Sequence, residues 1–190
     1  MTEQIKIFLA SADDLAEERL LLGNFINGLN GKYHERGIFI KLLRWEDESK
    51  ECTRGGAQIR FDELLKTSHF VQVLIHGRLG EFTKRELILA TDLLNSSDLQ
   101  KLVIGFKSDP KLKTALEYRQ YAEVIDFKEV LGATQVFFDF HDQTSLEHRL
   151  GKEIEDFLDR FMNDSGIPKL HEPLGEIALE KTGKIQITLK

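Results

Sequence analysis

Cysteine is almost missing from this sequence: Cys52 is the single one. An internal disulfide is thereby excluded, and the composition fits a reducing compartment. Proline is scarce too, at three residues, and no segment is of low complexity, which argues against long disordered stretches. No apolar run approaches the roughly 18–20 residues needed to cross a bilayer. The opening MTEQIKIFLASADD places acids where a secretory leader needs small, uncharged residues. Lys/Arg runs stop at two and the net charge is −6, so bulk charge gives no reason to expect nucleic-acid binding. These absences describe a cytoplasmic protein with neither a nucleic-acid nor a membrane partner.

Familiar catalytic signatures are missing as well. IFLASADD has no glycine where a phosphate loop would need several, and neither GxGxxG nor GxSxG occurs. The six histidines are scattered and Cys52 lacks a CxxC partner, so no metal site is expected. Cys52 itself reads as an incidental loop residue.

What is present is regular alternation, in a chain with 41% hydrophobic side chains, enough to bury one sizeable core. IKIFLAS (Ile5 to Ser11), IFIKLLRW (Ile38 to Trp45), FVQVLI (Phe70 to Ile75), KLVIGF (Lys101 to Phe106) and QVFFDF (Gln135 to Phe140) read as strands buried on one or both faces. Between them lie segments with helical spacing, the first marked by Leu15, Leu22, Phe25, Ile26 and Leu29, with Asp13 and Asp14 offering cap oxygens. The third helix is expected from Thr83 to about Ser96. Five strands alternating with helices predict a flavodoxin-like doubly wound parallel sheet, order 2-1-3-4-5, with helices on both faces. We assign residues 1–163 to this α/β domain. Residues 164–190 read as a linker and a short β-like tail, either a hairpin or the first strands of a further domain.

In such sheets ligands bind at the carboxyl ends of the strands, where the strand order switches. Here a ring of polar residues occupies those ends: Ser11, Asp13 and Asp14, then Trp45, Glu46 and Asp47, then His76, Arg78 and Glu86. Each has a plainer reading. Asp13 and Asp14 can be helix caps, Trp45 can be rim packing rather than a stacking surface, and His76 and Arg78 can be solvated loop residues. Glu86 can be an acid favoured by a helix N-terminus. Its neighbours Phe82, Leu87 and Ala90 favour a partly desolvated carboxylate instead, which is a better base or ribose ligand.

The segment EFTKRELILA resembles the region of Toll/interleukin-1 receptor (TIR) domains where an aromatic residue is followed by a glutamate opening the third helix. By position Phe82 takes the aromatic place, usually tryptophan, and Glu86 that of the glutamate. IKIFLASADD is similar to the family's first strand and polar loop, and IRFDELLKTSHFVQVLI to its second helix and third strand. The opening up to RWED resembles a bacterial subgroup found at the N-terminus of larger, defence-type proteins. The likeness spans roughly Ile5 to Met162, and the second-strand loop lacks the family's usual proline. The resemblance implies that Glu86 is catalytic in NAD cleavage, with NAD as substrate and no cofactor. Ser11, Asp13, Trp45, Asp47, His76, Arg78 and Phe82 are then the candidate substrate-binding residues. It further implies self-association through the loop Glu46–Gln58. Two other readings stand beside it: a non-catalytic assembly module, and a nucleoside deoxyribosyltransferase on the same sheet.

Overall fold

The structure, a computed structural model, describes residues 2–44, 56–96, 98–132 and 137–165, and the backbone of two short strands at 178–179 and 185–186. Five strands form one sheet: β1 (Glu3–Ser11), β2 (Ile38–Leu43), β3 (Phe70–Ile75), β4 (Lys101–Lys107) and β5 (Phe137–Phe140). Every neighbouring pair is parallel and the order is β2-β1-β3-β4-β5. The helices are α1 (Ala16–Tyr33), α2 (Gly56–Lys66), α3 (Glu81–Asn95), α4 (Ala115–Gly132) and α5 (Gln143–Asp164). This is the flavodoxin-like architecture that the alternation implies.

Side-chain alternation along the strands divides the core in two. Ile5, Ile7 and Leu9 of β1, with Phe70 and Leu74 of β3, pack with Leu22 and Ile26 of α1 and Leu150 and Ile154 of α5. Phe8 and Ala10, with Val71, Val73 and Ile75, pack with Leu65 of α2, Leu87 and Ala90 of α3, and Val124 of α4. All six residues of β3 are buried, as an inner strand covered on both faces requires. Helices therefore cover both faces. Among the described residues no helix is long and apolar enough to cross a membrane.

Local details depart from the sequence reading in three places. The ladder between β1 and β2 ends at Phe8↔Leu43, so β2 stops at Leu43, before Arg44. No side chain caps the first helix: a short 3-10 turn, Asp13–Leu15, leads into α1 behind the N-cap Ala12, and Asp13 and Asp14 bond elsewhere. Finally, Gly80 takes an extended backbone (φ −62°, ψ 148°) and accepts the Lys84 amide, so α3 opens at Glu81 rather than Thr83. Glu86 thus falls in the second turn, past the residues that feel the helix dipole most.

Two further strands, β6 (Ala178–Leu179) and β7 (Ile185–Gln186), pair antiparallel with each other.

Candidate functional site

Chain winding reverses at β1, so the loop after β1 and the loop after β3 lie side by side at the switch point. A cleft of about 680 Å³ opens there. Ser11, Ala12 and Asp13 form one rim, Arg78 and Gly80 another, and Phe82, Thr83 and Glu86 of α3 a third. Phe8 and Phe61 add aromatic wall. Five of the residues anticipated for substrate therefore meet in one space: Ser11, Asp13, Arg78, Phe82 and Glu86.

Glu86 is the deepest acid of the cleft, 9% exposed, and its carboxylate has no hydrogen-bond partner among the described residues. Burial first, and the neighbouring Asp62 carboxylate second, push its carboxyl up from 4.5 to about 7. Arg85, the next residue along the chain, does not relieve it: its guanidinium lies 2.5 Å from Asp62, tying α3 to α2. Phe82 stands at the mouth, 69% exposed. The arrangement is an apolar-walled carboxylate that titrates near neutrality and opens to solvent past an aromatic ring.

The β1 loop is fixed from beneath. Arg19 of α1, itself buried, donates from one guanidinium nitrogen to Ser11 Oγ at 2.9 Å and to the Ala12 carbonyl at 2.7 Å. Its neighbour Glu18 is 2% exposed and pairs with Lys107 Nζ, at the end of β4, at 2.6 Å. Neither residue was anticipated. A signal was present, since Glu18 and Arg19 lie three and four residues after Leu15, on the same stripe as Leu22, Ile26 and Leu29.

Asp14 belongs to a different place from Asp13. Its Oδ2 accepts the Gly77 amide at 3.1 Å and lies 3.5 Å from His76 Nδ1. Burial opposes its ionisation, but the contacts with His76 and the Gly77 amide outweigh burial and hold its carboxyl below the usual value. His76 does not line the cleft of Glu86. It lines an adjoining cleft of about 630 Å³ at the ends of β3, β4 and β5, which has Arg78 in common with the first. The loop after β3 therefore meets the loop after β1 along its length, His76 and Gly77 at Asp14 and Arg78 at Asp13, and the two clefts divide at Arg78.

A scan against protein-family models and a search of curated proteins gave no match. The geometry therefore has to speak for itself. Trp45, Asp47 and Cys52 lie outside the described residues, as does most of the loop Glu46–Gln58. Among the described residues no three His, Cys, Asp or Glu side chains gather as a metal site. Phe61 on α2 is the wall that sequence spacing did not reveal, because its place depends on how α2 leans on α3.

Proposed function

We propose that this chain is a TIR-like NAD glycohydrolase that cleaves the bond between nicotinamide and ribose and is activated by assembly in bacterial antiphage signalling. The observation that carries the reading is Glu86, a buried carboxylate with apolar walls in the cleft at the switch point. Nicotinamide in NAD is a cationic ring, so it leaves as a neutral molecule and no general acid is needed. As the C1′–N bond breaks, its electron pair goes to the ring nitrogen and positive charge spreads over C1′ and the ribose oxygen. The ionised Glu86 stabilises that charge in a low-dielectric site, holds the ribose hydroxyls and guides a water oxygen to C1′. The proton of that water passes to Glu86 and then to solvent. Phe82 and Phe61 offer faces against which a cationic ring is favourably placed.

Assembly enters through the resemblance: the loop Glu46–Gln58 of one protomer would complete the cleft of the next. A second reading, a non-catalytic assembly module, draws on the exposed apolar side chains Ile59, Phe82 and Ile88 of α2 and α3. The test is free nicotinamide released from NAD by purified protein, with and without a crowding agent that forces association. Glu86→Gln should lower the rate by roughly 10²–10⁴-fold, the range for a positioned acid/base group. If the assembled wild type releases none, the assembly-module reading replaces this one.

A further inference from the structure

The cleft beside the candidate site has its own chemistry. Its charged side chains are near balance by count, and two of its three acids are held in hydrogen bonds. Asp14 is held by the Gly77 amide and His76, and Glu117 accepts the backbone amides of Lys113 and Thr114. The third acid, Asp109, is solvated, 94% exposed and 4.0 Å from His141, and Lys107 is committed to Glu18. Two cations remain available. Lys111 is exposed and makes no ion pair among the described residues. Arg78 is paired at 3.3 Å with Asp13, whose side chain is 80% exposed, so solvent weakens the pair and a stronger anion can displace it.

Position adds to charge. Arg78 lines both clefts, so an anion bound to its guanidinium would lie between them. Behind it, His76 Nε2 is buried and has no hydrogen-bond partner among the described residues, while Asp14 faces the opposite ring nitrogen. The wall is firmly built: Ser108 donates its amide to the Phe140 carbonyl at 2.9 Å, and Leu112 donates to the Pro110 carbonyl at 3.0 Å. At about 680 and 630 Å³, each cleft is of the size that holds one nucleoside.

We propose that the second cleft is a nucleoside-diphosphate subsite, with Arg78 at the diphosphate between the clefts and Lys111 as a second phosphate contact. The assignment rests on the dinucleotide reading above for the identity of the substrate, and it predicts preference for a dinucleotide over nicotinamide mononucleotide.

ADP, which holds no bond for Glu86 to act on, isolates this half of the site. Titration calorimetry should show ADP binding to the wild type and to Glu86→Gln alike. Arg78→Gln and Lys111→Gln should each weaken it by about tenfold, the effect of losing one charge-assisted contact. Both changes are at solvent-exposed side chains, and unchanged thermal melts will show that the variants fold. ADP binding that ignores both substitutions, or no binding at millimolar ADP, overturns the subsite. Cleavage of NAD without ADP binding would remove the subsite and leave the reaction standing. Binding of ADP through Arg78 and Lys111 in a protein that leaves NAD intact would keep the subsite and remove the reaction.

Discussion

Glu86 is held in a state that works against folding. Raising its carboxyl from 4.5 to about 7 corresponds to roughly 3 kcal/mol of preference for the protonated form. The native chain binds that proton more tightly than the unfolded chain, so the contribution is complete below pH 4.5 and is lost as pH rises through about 7. The proposed NAD cleavage needs the opposite, ionised form. The kcat/KM for NAD should therefore climb with pH around a midpoint near 7 and level off above it, following one ionisation. A flat profile between pH 5 and 9 would mean that Glu86 does not act in the rate-determining complex. Part of this residue was legible beforehand. Its place beside Phe82 and behind a strand end follows from local spacing. Its depth does not, because Asp62 and Phe61 belong to another helix. Asp14 shows the same limit: next to a helix start it reads as a cap, but its partners lie more than sixty positions away.

Elements are joined at the switch point by buried charge rather than by apolar contact alone. The Glu18–Lys107 pair ties α1 to the end of β4 under the site. Replacing Lys107 by Met leaves a carboxylate that is 2% exposed without its cation, and the chain should lose about 2–4 kcal/mol in urea denaturation. Replacing both partners by Met and Leu should restore much of that loss, since a buried pair is weak evidence of net stabilisation. An unchanged midpoint in Lys107→Met would show that water reaches Glu18. The strands could be read from the sequence because inner parallel strands are continuous apolar runs, and their order because alternation with helices implies a doubly wound sheet. Strand and helix ends were read less well, since they depend on partners. β2 stops where β1 ceases to pair with it, and α3 starts at Glu81 because the Gly80 backbone before it is extended.

For the whole molecule, opposing titrations shape stability against pH. His69 accepts the Lys6 backbone amide at its Nδ1, 3.0 Å away, and so must be neutral there. Burial first, and Lys6 second, hold its protonation below the ordinary 6.5. The unfolded chain takes up that proton first, so stability falls as pH drops below about 6.5. Asp14 adds a loss at pH values under 3.8. Glu86 acts from the other side, between pH 4.5 and about 7. Unfolding free energy measured from pH 4 to 9 should show Glu86→Gln gaining about 2–3 kcal/mol over the wild type by pH 8, and little at pH 4.5. Parallel curves for the two proteins would show that the carboxyl is not displaced from its ordinary range.

The Glu18–Lys107 pair also has a history within each molecule. Every lining residue of the first cleft falls between Phe8 and Glu86, so a growing chain has made all of them before β4 exists. The second cleft waits for Lys107, Pro110 and finally His141. Glu18 leaves the ribosome 89 residues ahead of the lysine that neutralises it. At about 5–20 residues per second, that is roughly 5–18 s during which α1 cannot bury its stripe without burying a bare carboxylate. Docking of α1 before β4 arrives therefore carries the penalty predicted for Lys107→Met, about 2–4 kcal/mol, and translation of the lysine relieves it.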